Sequence, residues 1–410
     1  MKQTKDTEAI TTMTITTRRR PRPAATATIL SLLSTLTAGS YERVETSRLR
    51  FLALGDWGGQ DTYPYYTEEQ WETAGGMSRV AAATINSDEE DDEKARDRPA
   101  ASFVVSLGDN FYWNGFEDDV DHEMRFQETF EKVYHHQELQ LPWYIIAGNH
   151  DYCGDVTKQL KFSEDPNTRW SFPDYNHRIV REFSINDNNN ESDEEQPPPV
   201  KLEIILIDTI QLAGNLCYPN ENAFAESYFA PPPGVSHDEA LTARAATTMD
   251  WIEVALTESD ADYLLVVGHY PIYSACDHGG TKELAETLDP LLKEHGVTAY
   301  ISGHEHCQFH FEHESMNYFL SGTGHDCCYG SGMKQFMPKG GELKYLLTDS
   351  TPYSGSSGVK GGFVSFDVTR EEMVVSIHRE NGDVLYDTSL LPRDQVFKTG
   401  KASEIVVEIE

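Results

Sequence analysis

Five short apolar segments of this chain each end in a glycine followed by polar residues, and this repeated pattern constrains the fold more than any other feature. They are Leu49–Leu54, Phe103–Leu107, Trp143–Ala147, Tyr263–Val267 and Thr298–Ser302, followed by GDWGG, GDNFY, GNHD, GHYP and GHEH, respectively. Each segment has the length and the polar boundary of a buried β-strand. The chain is therefore expected to form a sheet whose strands all end in polar loops.

Segments of mixed polarity that are typical of helices lie between several of these strands. They are Glu68–Ile85, Glu123–Tyr134, Leu241–Thr257 and Thr281–His295. The order strand, polar loop, helix, strand predicts an α/β fold. After His306 the period changes, and alternating segments such as CQFHFEH and GGFVSFDV predict a more antiparallel β layer within the same domain.

The charge of the chain excludes some classes of partner. A formal net charge of −35 argues against general affinity for nucleic acid or for anionic membranes. Two acidic runs, Asn86–Pro99 and Asn186–Pro199, lack apolar periodicity and are interpreted as solvated insertions. The second run contains the glycosylation sequon at Asn190, so we expect a glycoprotein.

The first 40 residues are typical of a secretory signal. A basic cluster at Arg18–Arg22 precedes an apolar run at Ala24–Leu36 and small residues at Ala38–Ser40. The run is too short to span a bilayer, so no stable membrane span is expected. We predict a signal peptide over residues 1–40 and a secreted, endomembrane or vacuolar location. An organellar transit peptide is the alternative, because the segment is rich in Thr and Arg.

The loops that follow the five apolar segments carry eight side chains suited to metal chemistry. They are Asp56, Asp109, Tyr112, Asn149, His150, His269, His304 and His306. A single Asp after Gly is ordinary turn chemistry, and a single Asn before His can cap a helix. Five such clusters at strand ends, however, would meet at one edge of an α/β sheet. Oxygen and imidazole donors suit a pair of metal ions, which could hold a phosphoryl group and activate a water molecule.

Three local patterns refine this hypothesis. His304 and His306 are two residues apart on an extended segment, so both side chains can reach the same site. Tyr112 could be a buried aromatic beside Phe111 and Trp113. With the other ligands present, we interpret it as a phenolate ligand. A phenolate favours a trivalent ion such as Fe(III). By contrast, His310 and His313 are expected to be surface residues of a strand.

The five motifs resemble, in order, the five metal-binding motifs of the purple acid phosphatases, and most closely those of the small animal-type, tartrate-resistant enzymes. The likeness extends through RFQETFEKVY, PWYIIAGNHD and HGVTAYISGH and covers about residues 48–392. It implies one catalytic domain over 48–392, followed by a tail at 393–410. It also implies an α/β fold of two packed mixed β-sheets flanked by helices, the four-layer sandwich of metallophosphoesterases.

The resemblance also implies a role for each site residue. Fe(III) would be held by Asp56, Tyr112 and His306. A second, divalent ion (Fe, Zn or Mn) would be held by Asn149, His269 and His304, with Asp109 bridging the two ions. His150 would lie beside the substrate phosphate and be oriented by Asp151, and Asp277 and His278 would contact the substrate or protonate the leaving group.

The activity implied is acid phosphatase: hydrolysis of phosphate monoesters, on small molecules or phosphoproteins, by a metal-bound hydroxide. We expect a monomer. One alternative is a Mn or Zn phosphodiesterase or phosphoprotein phosphatase, against which the tyrosine of GDNFY and the absence of a GDxxDRG motif argue. Another is an acidic extracellular metal-binding protein without catalysis.

Two positions depart from the pattern of the relatives. Glu305 stands where they carry Asp, and we expect no consequence because its side chain should point away between two ligands. The disulfide of the relatives is not reproduced in full, and a Cys217–Cys276 pair is a candidate substitute. The six cysteines of the chain are compatible with disulfides in a secreted protein, but their spacing leaves the pairing open.

Overall fold

All five predicted apolar segments form strands in the computed structural model, which describes residues 39–83, 98–116, 119–184, 197–214, 237–349 and 358–393. Their bounds are Leu49–Leu54 (β2), Phe103–Ser106 (β3), Trp143–Tyr144 (β4), Tyr263–Val267 (β8) and Ala299–Ser302 (β9). Strands β2, β3 and β4 pair in parallel, and so do β8 and β9. The predicted signal peptide, the Asn190 sequon, Cys217 and residues 394–410 lie outside the described residues, apart from residues 39–40 of the signal segment.

The strands belong to two mixed sheets. One has the order β15-β14-β13-β2-β3-β4-β5 and the other β1-β6-β7-β8-β9-β11-β10-β12. The further strands are Gly39–Glu45 (β1), Trp170–Ser171 (β5), His177–Ser184 (β6), Val200–Leu206 (β7), Gln308–His313 (β10), Met316–Ser321 (β11), Glu342–Leu347 (β12), Gly362–Val368 (β13), Met373–Arg379 (β14) and Val384–Leu390 (β15). The predicted fold class, two mixed sheets flanked by helices, is confirmed.

The main core lies between the two sheets. Alternate residues of β2, Leu49, Phe51 and Ala53, belong to the same buried cluster as Leu265 and Val267 of β8. The intervening residues of β2 are buried as well. Burial on both faces explains why these strands are continuous apolar runs rather than alternating ones.

The four predicted helical segments form helices with shifted ends, and the described residues contain two further α-helices, Val156–Phe162 and Thr209–Ala213, that were not predicted. In chain order the helices are Glu68–Ala81 (α1), Asp119–Arg125 (α2), Val156–Phe162 (α3), Thr209–Ala213 (α4), His237–Glu258 (α5) and Lys282–Glu294 (α6). The side chain of Thr67 caps α1 by accepting a hydrogen bond from the Gln70 N–H at 3.0 Å. The segment predicted as one helix over Glu123–Tyr134 is α2 followed by a π-helical turn at Phe126–Glu131.

Two aspects of the architecture differ from the sequence-based expectation. Strand β1 precedes residue 48, and it pairs in parallel with β6. The antiparallel strands of the latter half do not form one layer: β10 and β12 extend one sheet, whereas β13–β15 extend the other. Alternation along a strand predicts its two faces but carries no information about its partner.

The described residues all belong to one compact unit, Ala38–Glu410, and none of their helices is long and apolar enough to cross a membrane.

Candidate metal centre

The carboxyl ends of strands from both sheets meet at one edge, where backbone hydrogen bonds join them. The Gly55 N–H after β2 donates to the Ser321 carbonyl at the end of β11, at 2.8 Å. The Asp56 N–H donates to the Gly108 carbonyl after β3, at 3.0 Å. The His304 N–H after β9 donates to Asp56 Oδ2 at 2.7 Å. This convergence is what the strand-end pattern predicts.

Tyr112 lies at the middle of the first group of predicted ligands. Its hydroxyl is 3.0 Å from Asp56 Oδ1, 3.0 Å from His306 Nε2 and 3.2 Å from Asp109 Oδ2. The side chain is completely buried. Four donor atoms from three separate strand ends therefore surround one point in the interior.

Asn149 lies at the middle of the second group. Its Oδ1 is 2.9 Å from His269 Nε2 and 2.9 Å from His304 Nδ1. Asp109, His269 and His304 each offer one ligand atom within 4.8 Å of the others. Asp109 Oδ2 is 3.5 Å from His269 Nε2 as well as 3.2 Å from Tyr112 Oη, so this carboxylate lies between the two groups.

Three of the predicted ligands have left-handed backbone conformations. Their φ angles are 58° at Asp56, 54° at Asp109 and 73° at His304. Such conformations cost roughly 1–2 kcal/mol per residue for L-amino acids, and they persist where the surrounding structure enforces them, often at functional sites. Here each one turns a strand end sharply enough for its side chain to point back toward the same point.

Gly108 permits the close approach of the strand ends. Its φ is +91°, and a Cβ at this position would lie 2.7 Å from His269 Nδ1 and 2.8 Å from the Gly148 nitrogen. Any side chain would therefore displace either the imidazole or the loop that carries Asn149. The glycine before Asp109 is thus required by packing as well as by the turn.

The electrostatics of the first group favour a bound cation. Burial, followed by the nearby charge of Asp109, raises the pKa of Asp56 well above its usual range. Burial also raises the pKa of the Tyr112 hydroxyl well above its ordinary value, with further contributions from Asp109 and Asp56. Among the described residues, no Lys or Arg forms an ion pair with either carboxylate. Two buried carboxylates and a phenol without a cationic partner are costly unless a metal ion compensates their charge.

The second group is held in a state that suits metal binding. Burial opposes ionisation of Asp109, but the adjacent imidazoles of His269, His150 and His304 lower its pKa to about 2. Burial lowers the pKa of His269, and that of His304 falls well below its usual value. Metals bind ionised carboxylates and neutral imidazoles, so the lowered pKa of each of these three groups favours metal binding. The donors fit two ions: an oxygen-rich group for a hard cation and a group with more nitrogen for a divalent one.

His150 lies next to these groups, at the mouth of the site. Its Nδ1 donates to the Trp113 carbonyl at 2.7 Å, and its ring packs against Tyr112 with centroids 4.6 Å apart. The Trp113 side chain is itself 46% exposed, and its ring centroid lies 5.5 Å from that of His150. The ring of His150 is therefore oriented by a backbone carbonyl and two aromatic side chains.

Asp151 has a different place from the one expected. It was predicted to orient His150, but its carboxylate accepts hydrogen bonds from the backbone N–H groups of Gly148 at 2.8 Å and Asn110 at 3.1 Å, and from Gln159 Nε2 at 2.8 Å. His150 and Asp151 are consecutive residues at a helical turn, and such neighbours do not face each other. Asp151 thus joins the loops that carry Asp109 and Asn149. Its burial raises its pKa to about 7.

The loop with Asp277 and His278 lies at the exposed side of the second group. The His278 ring is 5.0 Å from that of His304, and its side chain is 53% exposed. Asp277 is turned toward another loop, where it accepts hydrogen bonds from the N–H groups of Gly330 and Gly332 at 2.9 and 3.1 Å. Of the two, His278 is the one next to the predicted ligands.

Two expectations about neighbouring residues concern Glu305 and Cys276. The Glu305 side chain, expected to point away between two ligands, is fully buried and accepts hydrogen bonds from the loop that carries His278. Cys276 does not pair with Cys217, because it forms a disulfide with Cys307. A second disulfide joins Cys327 and Cys328.

Residues near the site that the sequence analysis did not identify include His325, Tyr329 and Asp208. His325 Nδ1 donates to the Asp56 carbonyl at 2.7 Å, and its ring lies 4.3 Å from that of Tyr112. The Tyr329 ring stacks on His306 at 4.4 Å. The signal for His325 was present: FLSGTGH repeats the pattern of an apolar strand followed by glycine and a polar residue. Asp208 follows β7 without an intervening glycine and accepts a hydrogen bond from the Tyr152 hydroxyl.

Comparison with known proteins supports the geometry. The calcineurin-like phosphoesterase family model matches residues 49–308. The chain is 33% identical to human tartrate-resistant acid phosphatase type 5, over 88% of this chain and 97% of the relative. It is 31% identical to purple acid phosphatase 4 of Arabidopsis thaliana, over 83% and 84% of the two chains. Among solved structures, yellow lupin purple acid phosphatase PPD1 has the same fold with a TM-score of 0.52, at 13% identity and with 86% of this chain and 55% of that chain covered.

Proposed function

The chain belongs to the calcineurin-like phosphoesterases and is a relative of the purple acid phosphatases, and on that premise we propose that it is an acid phosphatase that hydrolyses phosphate monoesters at a centre of two metal ions. The single observation that carries this proposal is the convergence of seven donor side chains from both sheets. They are Asp56, Asp109, Tyr112, Asn149, His269, His304 and His306. Two metal ions held by these residues would attract a phosphate dianion, which the acidic surface of the protein does not.

We infer that the two ions differ. Asp56, Tyr112 and His306 would hold Fe(III), because two anionic oxygens favour a hard trivalent cation. Asn149, His269 and His304 would hold a divalent ion, Fe, Zn or Mn, with Asp109 between the two. The hydrogen bond from His269 Nδ1 to the Leu107 carbonyl, at 2.8 Å, supports this because it leaves Nε2 unprotonated toward the site.

When bound, the two ions would polarise the phosphoryl oxygens and lower the pKa of a water molecule. The side chains around them have separate tasks. His150, whose Nδ1 donates to the Trp113 carbonyl, can donate to a phosphoryl oxygen through Nε2 when its ring carries both protons. His278, beside His304 and open to solvent, can hold a proton for the departing alkoxide. Asp151 keeps the Asp109 and Asn149 loops in place and would not touch the substrate.

We propose a secreted or endomembrane location and a monomer that binds neither nucleic acid nor membrane. The sequence of residues 1–40 and the net charge of −35 support this. The disulfides Cys276–Cys307 and Cys327–Cys328 also fit an oxidising compartment. The substrates would be small phosphate monoesters or phosphoproteins.

The decisive experiment combines metal analysis, visible absorption and hydrolysis for wild type and Tyr112→Phe. A phenolate bound to Fe(III) absorbs visible light, so the wild type should be purple or pink. The variant should lose the band and bind iron about 100-fold more weakly or worse, since it lacks one donor oxygen. Tyr318→Phe is the matched control, because this buried hydroxyl also donates to a carboxylate, that of Asp289, but away from the site.

The outcomes separate the proposal from its alternatives. Hydrolysis of p-nitrophenyl phosphate with little action on bis(p-nitrophenyl) phosphate supports a monoesterase, and the reverse preference supports a phosphodiesterase. Metal binding without hydrolysis of either ester would support a non-catalytic protein. A colourless, fully active wild type that contains oxidised iron would refute the assignment of Tyr112 as a ligand.

A further inference from the structure

A disulfide joins the loop that bears His278 to the segment that bears two predicted metal ligands. Cys276 lies two residues before His278, and Cys307 directly follows His306. The two cysteines are 31 residues apart in the sequence. The bond therefore fixes the start of an exposed loop to a segment whose position is already determined by β9 and β10.

Glu305 makes a second connection between the same two segments. Its Oε1 accepts hydrogen bonds from the Ser274 hydroxyl at 2.9 Å and the Gly279 N–H at 2.6 Å, and its Oε2 accepts one from the His278 N–H at 3.2 Å. The same Oε2 is 3.5 Å from His278 Nδ1. One buried carboxylate thus contacts the loop on both sides of Cys276 and touches the His278 ring itself.

The disulfide and the Glu305 hydrogen bonds fix the loop but leave the His278 side chain largely open to solvent. The backbone of the loop is fixed at residues 274, 276, 278 and 279, whereas the His278 side chain remains 53% exposed. An exposed imidazole has few packing contacts to select one rotamer, so its direction depends on its backbone and on the contact with Glu305. Removing a carboxylate from water is costly, and three hydrogen bonds to one loop offset that cost.

We propose that Glu305 and the Cys276–Cys307 disulfide are positioning residues that hold His278 where it can protonate the leaving group. This inference rests on the proposed phosphatase function and extends it to the residues that set the range of leaving groups. Glu305 lies between His304 and His306, so the segment that supplies two metal ligands also positions the proton donor. A shift of the loop would move the donor away from the leaving oxygen without removing a ligand.

The test measures kcat/KM for phosphate monoesters over a series of leaving-group pKa values, from nitrophenols to simple alcohols. We expect Glu305→Gln and the Cys276→Ser/Cys307→Ser double variant to keep both metal ions and the visible band. Activity on p-nitrophenyl phosphate should change by no more than about twofold. Activity on alkyl phosphates should fall by about 10- to 100-fold, because a proton donor matters most for a poor leaving group.

Two controls distinguish positioning from a general loss of structure. Glu203→Gln removes another fully buried carboxylate, which lies on β7 and pairs with Arg178 of the adjacent strand β6. This variant should leave the leaving-group dependence unchanged. In a His278→Ala background, Glu305→Gln should add no further loss on alkyl phosphates, because the residue through which it acts is gone. Additive losses in that double variant would overturn the inference.

The remaining outcomes are equally clear. If Glu305→Gln loses activity by the same factor on all esters, or loses metal, its role is in the stability of the centre and the inference is wrong. If the variants behave as wild type over the whole series, the loop needs neither contact and the inference is also wrong. Failure of the proposed function has a different signature, since the wild type itself would then hydrolyse none of the monoesters.

Discussion

Acid should destabilise this protein partly through His177, a residue outside the metal centre. His177 begins β6, its side chain is 1% exposed, and its Nδ1 donates to the Asp174 carbonyl at 3.1 Å. Nε2 is buried without a hydrogen-bond partner among the described residues. Burial lowers the pKa of this imidazole from 6.5 to about 4. The folded chain therefore excludes a proton that the unfolded chain binds.

The sign and the size of the effect follow from these two pKa values. Between pH 6.5 and pH 4 the unfolded state binds more protons, so the free energy of unfolding falls as the pH falls through this window. At 1.36 kcal/mol per pKa unit, His177 should cost about 2.5 kcal/mol of stability between pH 7.5 and pH 4.5. Asp208 acts in the opposite direction between pH 3.8 and pH 6, because burial raises its pKa to about 6.

The substitution His177→Phe isolates the contribution of one group. It keeps an aromatic ring and removes the ionisable imidazole. The free energy of unfolding can then change for several reasons, but its pH dependence changes only because the imidazole is gone. Urea unfolding at pH 7.5 and pH 4.5 should show that the variant loses about 2.5 kcal/mol less than wild type over this range. His135→Phe is the control, because it replaces an imidazole that is exposed rather than buried. Equal losses in wild type and His177→Phe would refute the reasoning.

Two further predictions concern the metal centre. His269→Ala should lose the divalent ion and more than about 100-fold in kcat while keeping the iron band, as measured by metal analysis and visible absorption. His278→Ala should keep both ions and lose roughly 10²- to 10⁴-fold on alkyl phosphates but little on p-nitrophenyl phosphate. Equal losses on both esters would remove His278 from the role of proton donor.

The strands and the convergence of the ligands could be predicted because both depend on short-range patterns. All residues of Leu49–Leu54 are buried and all but Arg50 are apolar, because the second sheet covers one face of the strand and the other face is also removed from solvent. Once strands are parallel, their carboxyl ends must share an edge, so Asp56 and Asp109 had to be close. No tertiary information is needed for that step.

The residues that sequence reasoning misplaced are those whose position depends on what covers them. His310 was expected at the surface because it alternates with Phe309 and Phe311, yet it is buried and both ring nitrogens are hydrogen bonded, to the Tyr386 hydroxyl and to Asn317. Alternation indicates that a side chain lies on the second face of a strand. It does not indicate that β15 of the other sheet reaches across to cover that face.

The directions of the side chains at the site could not be predicted from the sequence either. GNHD places Asp151 next to His150 in the sequence, but the turn sends its carboxylate to the backbone of two other loops. Glu305 shows the same limit, since spacing alone placed it between two ligands and gave no sign of the loop that it holds. The motifs predict well which side chains can bind a metal ion. They predict poorly the hydrogen bonds that hold the loops carrying these side chains.

The predicted metal ligands and His278, the proposed proton donor, depend on different parts of the fold, and this separation has a consequence for the enzyme. Asp56 belongs to one sheet and His304 to the other, and they are joined by the hydrogen bond from the His304 N–H to Asp56 Oδ2. Each group of ligands draws on both sheets, so the distances within each group are set by how the sheets pack, which is a property of the whole core. The position of His278, by contrast, would be held by one disulfide and one buried carboxylate of the segment that carries His304 and His306. Substitutions in that loop can thus change which leaving groups are accepted while the ligand geometry, and with it the binding of phosphate, is preserved.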